Sequence, residues 1–136
     1  MAKQGPIRRS SCPISCALEI LGDRWTLLVI RDILFRRKQY FRDFRTSPEK
    51  IASNILSHRL KKLEEYDIVL RQRDPVNMRR VIYTLTEKGL DLVPTILELL
   101  RWGAKHDAAS DAHESLIQRF KQNPEGLMAE IRSSLS

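Results

Sequence analysis

The chain is poor in the features that mark several large classes of protein. It has only two cysteines, Cys12 and Cys16. That is too few for a disulfide framework, and they lack the Cys-x-x-Cys spacing of a metal knuckle. In a reducing compartment both are thiols by default. No apolar run approaches the roughly 18–20 residues that span a bilayer. Residues 1–9 bring charge with no apolar stretch behind it, so no secretory signal is expected and a cytoplasmic location is. There is no internal repeat and no low-complexity tract. No Gly-rich phosphate loop, nucleophile–base motif or paired-carboxylate signature occurs, so an enzymatic role has no support and no cofactor is expected.

What is present is an ordinary globular composition with a lopsided charge. The 136 residues suffice for one domain with its own core. Apolar residues make up 42% and charged residues 30%, and the net charge is +7. Thirteen Lys/Arg and six Asp/Glu lie from Arg36 to Arg80, so that third of the chain carries the whole excess. Such a concentration is the footprint expected for a polyanionic partner. The plainer alternative is a solvated surface.

Periodicity and punctuation give the element order. Helix 1 is expected from about Cys12, since Pro13 suits a first helical position. Ile14, Ala17, Leu18 and Leu21 recur at helical spacing, and Gly22 ends the run. Asp23 is a good N-cap for a second helix over Arg24–Phe35. A short third helix is expected over Tyr40–Thr46, broken by Ser47-Pro48-Glu49-Lys50. A fourth is expected over Ala52–Tyr66, with Ile55, Leu56, Leu60 and Leu63 as its apolar stripe. Val69–Arg73 and Val81–Leu85 are β-type runs joined by turn residues, which predicts one hairpin. A lone hairpin is marginal in water, so it must lie on the helical body. Thr86 caps a long helix reaching about His106, with a kink or a separate short first turn at Pro94. Leu116–Lys121 and Leu127–Leu135 are further helical segments, separated by Asn123-Pro124.

The fold class is therefore mainly α with a small β-hairpin. The third helix, the turn and the fourth helix make a helix-turn-helix candidate, and the hairpin makes it winged. In such a unit the second helix enters the DNA major groove. Ser53, Asn54, Ser57 and His58 are small or polar near its N-terminus and suit base edges. Asn can pair bidentately with adenine. Arg59, Lys61 and Lys62 are placed for phosphates. The hairpin tip adds Asn77, Arg79 and Arg80, and its first strand Arg71 and Arg73. These could straddle the backbone or enter a narrow minor groove. Arg36 and Arg37 form an adjoining basic turn. The expected partner is double-stranded DNA, with no membrane. The alternative is a winged-helix protein-interaction module that binds no DNA, since fold does not fix function.

Several stretches together resemble one known family. They are Cys12-Pro13-Ile14 through Leu18-Glu19, Gly22-Asp23-Arg24-Trp25 through Arg31-Asp32, and Phe41 to Phe44. They continue with Ile51-Ala52-Ser53-Asn54-Ile55-Leu56-Ser57-His58-Arg59-Leu60 and Tyr83-Thr84-Leu85-Thr86-Glu87-Lys88-Gly89. Over about residues 11–107 the chain resembles the HxlR-type winged-helix regulators, a branch of the MarR-like group. The resemblance implies a homodimer on a palindromic operator that represses or activates nearby genes. It also implies dimerisation through helix 1 and the C-terminal helices. The expected organisation is a loose basic arm at 1–10, the winged helix-turn-helix domain at 11–107, and a helical extension at 108–136 within the dimer scaffold. One departure stands out: the family often has Gly in the turn where this chain has Arg36-Arg37.

Cys12 is the candidate redox-sensing residue. Before Pro13 it would sit at a helix N-terminus, where free amides favour a thiolate, and Arg8 and Arg9 would push the same way. A low-pKa exposed thiol is what an oxidant or electrophile sensor needs. Some family members sense in this way through a cysteine at this position, which implies an oxidant or small-molecule effector here. An inert thiol is the alternative. An internal Cys12–Cys16 disulfide is disfavoured, because Cβ atoms four residues apart on a helix lie about 5–6 Å apart, beyond disulfide range. A bridge between subunits fits better. His106, Asp107, Asp111 and His113 lack regular ligand spacing, so no metal is expected.

Overall fold

The computed structural model describes residues 8–111 and 113–135. Residues 1–7 of the expected arm lie outside them. Packing divides the chain after Gly89 into two units. The division falls inside the span 11–107 that was expected to form one domain.

The first unit holds α1 (Pro13–Leu21), α2 (Thr26–Arg36), α3 (Phe41–Phe44), α4 (Ser53–Glu65), β1 (Val69–Arg73) and β2 (Val81–Leu85), and runs into the short α5 (Glu87–Leu90). It is a helical body with a two-stranded antiparallel sheet, as the pattern predicted. α1 starts at Pro13 and ends at Gly22, whose N–H bonds the Leu18 carbonyl at 2.8 Å. None of its residues is buried, and Ile14 and Leu18 are exposed.

α2 starts two residues later than expected. Asp23 nevertheless acts as its cap: Oδ1 accepts from the Trp25 and Thr26 amides at 2.8 and 2.9 Å. Those are donors that the first turn leaves without partners. The wide apolar arc of α2 is buried through Val29, Ile30, Ile33 and Leu34. The helix closes on Arg37 at φ 55, in the left-handed region. Glycine adopts that conformation freely and a side-chain-bearing residue does so at some cost. The departure at Arg36-Arg37 is thus accommodated by backbone strain, with the Arg37 N–H bonded to the Asp32 carbonyl.

α3 spans four residues rather than seven, and buries Phe44. α4 buries Leu56, Leu60 and Leu63, all at 1% exposure or less. The strands fall where alternation and turn residues put them, with Val69 opposite Leu85 and Arg73 opposite Val81. Val69 and Ile82 are buried. The hairpin lies on the helical body, as it must: the Tyr83 N–H donates to the Gln39 carbonyl at 2.9 Å, and Phe44 meets the Tyr83 ring edge-on.

The expected long helix is two helices, and the separate-first-turn alternative holds. Thr86 Oγ1 accepts from the Gly89 N–H at 3.1 Å and so caps α5. The second unit holds α6 (Val93–His106), α7 (Glu114–Gln122) and α8 (Pro124–Ser134). Pro94 lies in the first turn of α6, where its missing N–H costs nothing. Asn123 ends α7 and caps α8, its Oδ1 accepting from the Gly126 N–H at 3.0 Å. The three helices pack on one another. α6 leaves Leu99 and Trp102 exposed. Among the described residues, no helix is long and apolar enough to cross a membrane.

Candidate nucleic-acid interface

The 3.6-residue period gives α4 two faces. One carries Leu56, Leu60 and Leu63 into the core. The other carries Ser53, Asn54, Ser57, His58 and Lys61, all exposed. Five of the seven expected contacts on this helix therefore share one open polar face.

Arg59 and Lys62 do not belong to it, which corrects their expected placing on phosphates. Arg59 is half-buried, with Nε 3.3 Å from Asp23 Oδ1, so it ties α4 to the cap of α2. Burial pushes the Asp23 carboxyl up, but the hydrogen bonds from Thr26 and Trp25, with a smaller contribution from the Arg59 charge, outweigh it and hold its pKa below the usual value. Lys62 Nζ donates to the Glu19 carbonyl at 3.0 Å, joining α4 to α1. Helical spacing could have shown this: Arg59 lies three residues after Leu56 and four before Leu63, on the buried flank.

On the wing, Arg71, Arg73, Asn77 and Arg79 are exposed. Arg73 donates to the Met78 carbonyl at 3.1 Å, and Asn77 Oδ1 accepts from the Arg79 N–H at 3.2 Å. Arg80 is half-buried, its guanidinium 4.5 Å from the centre of the Tyr40 ring. Arg36 and Arg37 are exposed at the end of α2, with Arg36 Nη1 3.5 Å from Asp32.

The fold also relies on polar residues that local pattern did not single out. Asp32 is 3% exposed. Its Oδ1 accepts from Arg31 Nη2 at 2.9 Å, and its Oδ2 accepts from the Ser47 hydroxyl. Lys38 Nζ donates to Ser47 Oγ at 2.8 Å and lies 3.8 Å from Asp32. Arg31 also grips Glu49 through two bonds of 2.8 and 2.9 Å. The Arg31 guanidinium holds the Glu49 carboxyl down to about 2. This network joins α2 to the turn that aims α4. Only one signal was available in the sequence, an aspartate inside an apolar arc.

Cys12 occupies the N-cap position of α1 and is exposed. Backbone N–H groups of Ser15 and then Ile14 lower its thiol pKa. The expected help from Arg8 and Arg9 is corrected. Arg8 reaches Cys16 Sγ at 3.7 Å instead, and Arg9 pairs with Glu19. Cys16 is half-buried and donates to the Ser10 carbonyl at 3.5 Å. Among the described residues there is no group of three metal-ligating side chains.

Comparison with known proteins agrees with this architecture. The family model for the HxlR-like helix-turn-helix matches residues 20–111. The HTH-type transcriptional regulator YodB of Bacillus subtilis is 38% identical over 92 residues, spanning 67% of this chain and 81% of YodB. The reduced form of YodB superposes with a TM-score of 0.58, covering 75% of this chain and 100% of that one at 34% identity. The redox regulator HypR in its reduced form gives 0.60, covering 69% of this chain and 92% of its own at 29% identity. The putative transcription factor PA1607 gives 0.69 at 31% identity, over 77% of this chain and 72% of that one. With its helical body, exposed polar α4 face and basic wing, this chain belongs to the HxlR-like helix-turn-helix family of transcriptional regulators.

Proposed function

We propose that the protein binds a palindromic DNA operator as a homodimer and represses transcription, under thiol control through Cys12. The observation that carries the DNA reading is the open face of α4, which exposes Asn54, Ser57 and His58 in the same packed unit as the basic wing. α4 enters the major groove, and Asn54 reads a base edge. Lys61 and the wing arginines meet phosphates or the flanking minor groove. Two copies of α4 then lie in successive grooves, about 34–36 Å apart.

Dimerisation is supported by apolar surface that the single chain leaves open: Ile14 and Leu18 on α1, Leu99 and Trp102 on α6. The thiol reading is supported by the lowered pKa and exposure of Cys12. Among relatives, YodB is known in quinone-bound and diamide-treated forms. Oxidation that breaks two Cys12 S–H bonds and joins the sulfurs across the dimer, with two electrons and two protons passing to an oxidant such as diamide, would reset the spacing of the two heads.

One experiment covers these elements: selection of duplexes with the purified full chain, followed by binding across a salt series. Arg79→Ala is expected to weaken selected and random duplexes alike and to reduce the salt slope by about 1. Asn54→Ala is expected to narrow the gap between selected and random duplexes by about 1–3 kcal/mol. Diamide is expected to weaken wild-type binding and to leave Cys12→Ser unaffected. An unchanged slope sinks the wing assignment, and oxidised wild type binding as before sinks the thiol switch. Absence of any binding at low salt favours a protein-interaction module instead.

A further inference from the structure

Tyr40 immediately precedes α3, and neither it nor Asp74 lies in the stretches that carry the family resemblance. The structure nevertheless brings them together. The Tyr40 hydroxyl donates to Asp74 Oδ2 at 2.5 Å. Asp74 is the first residue after β1 and only 6% exposed. Its other oxygen, Oδ1, accepts from the Val76 N–H at 2.9 Å and shapes the wing turn. The Asp74 N–H bonds the Arg80 carbonyl at 2.9 Å, closing the base of the loop. Arg80 then returns over the Tyr40 ring at 4.5 Å. One carboxylate thus ends β1, organises the turn, and reaches the entry to the helix-turn-helix.

Resting on the DNA reading above, we propose that Tyr40, Asp74 and Arg80 form a clasp that fixes the angle between the wing and α4, making Tyr40 a positioning residue for operator recognition. The physical need is plain. A two-stranded ribbon is marginal by itself, and the duplex dictates the distance between a major-groove contact and the flanking contact. A wing free to swing would have to be ordered on binding, and that ordering would be subtracted from affinity. Besides the clasp, the Tyr83–Gln39 backbone bond joins β2 to the same segment. That bond anchors the middle of the strand, whereas the clasp anchors the end that carries the tip. A phenol donating to a carboxylate also accounts for the directions of their titration: Tyr40 is raised, and Asp74 is lowered by the Tyr40 bond first. Arg80 accordingly belongs to the clasp as much as to the DNA surface, since its guanidinium is stacked and its reach restricted.

The test uses the full-length protein and Tyr40→Phe, which keeps the ring beneath Arg80 and removes only the hydroxyl. In the free protein, the amides of Asp74 and of residues 76–80 are expected to exchange about 5-fold faster, while those of α4 at Leu60 and Leu63 stay unchanged. Binding to a duplex selected by wild type is expected to weaken about 5–10-fold, less than the full worth of one charge-assisted hydrogen bond, because the Tyr83–Gln39 bond still holds the wing. In a wing-tip background of Asn77→Ala with Arg79→Ala, Tyr40→Phe is expected to add less than about 2-fold, because the contact being positioned is already gone. A general folding defect would weaken both backgrounds equally and speed exchange throughout. Either that result or unchanged exchange in the wing overturns the clasp. If wild type binds no duplex at all, the DNA reading fails and this role of Tyr40 falls with it. If wild type binds and Tyr40→Phe binds equally well, only the clasp fails.

Discussion

Asp32→Ala is expected to lower the unfolding free energy by about 3 kcal/mol, read from the urea midpoint with an unchanged m-value. Removing one partner of a buried ion pair commonly costs about 3–5 kcal/mol, because the other charge is left without compensation. Here Arg31 and Lys38 are only 19% and 15% exposed at the side chain, so water would replace the carboxylate poorly. Two contacts hold the figure to the low end. Arg31 keeps its paired bonds to Glu49, and Lys38 keeps Ser47. Asp32→Asn, which can still accept from Ser47, is expected to cost less than Asp32→Ala. The functional effect should exceed the loss of folded protein, because the Ser47–Glu49 turn sets the aim of α4. Binding measured well below the melting temperature should therefore still be impaired. Full stability in Asp32→Ala would mean that the network is ornamental to the fold.

Gly89→Ala is expected to destabilise by about 2–3 kcal/mol, although propensity alone argues for the opposite sign. Within a helix, alanine is favoured over glycine by about 1 kcal/mol. At this position a Cβ would lie 2.3 Å from the Ile68 carbonyl oxygen and 2.9 Å from Leu85 Cδ2. The side chain of Leu85 can turn aside. The carbonyl cannot, because it accepts from both the Thr86 N–H and the Thr86 hydroxyl, each at 3.1 Å. The close approach of α5 to the backbone of Ile68, just before β1, is thus what the glycine permits. Thermal unfolding decides the matter, and a neutral or raised midpoint would refute the steric argument. The same geometry gives physical content to the run from Tyr83 to Gly89. Thr86 holds the backbone of Ile68 and caps α5, and Gly89 lets that helix approach. The motif is a joint between the wing and the chain that follows it.

These two sites serve one end. On the proposed function, a regulator that reads DNA through one helix must hold that helix at a defined angle to its wing. Asp32 secures the turn before α4, the Arg59–Asp23 and Lys62–Glu19 contacts secure its flank, and Tyr40 secures the wing. None of these side chains needs to touch a base. The basic excess between Arg36 and Arg80 consequently divides in two. Lys61, Arg71 and Arg79 lie open to solvent, whereas Arg59 and Lys62 are engaged within the protein.

Both strands, with their first and last residues, were legible from alternation and the turn residues between them. So were the start of α1 at Pro13, the cap at Asp23 and the break at Asn123-Pro124. The open face of α4 was legible too, as Ser53, Asn54, Ser57 and Lys61 recur at helical spacing. Each depends on interactions within a few residues, and local sequence is sufficient to specify those. The shortened α3 and the delayed start of α2 were not legible, because helix ends answer to whatever satisfies their backbone groups. Nor were the roles of Arg59 and Lys62 read correctly, although the spacing of Arg59 from Leu56 and Leu63 held the clue for that residue.

What the sequence determined by itself is the order of elements, the family resemblance, and the concentration of positive charge on the helix-turn-helix and wing. What only the tertiary structure decided is which polar side chains remain available to a partner. A lysine or arginine looks alike in sequence whether it faces water or a buried carboxylate. Its partner can stand 34 positions away, as Asp74 does from Tyr40. Burial and hydrogen bonding are set by neighbours in space, and for these residues the neighbours come from other elements of the fold.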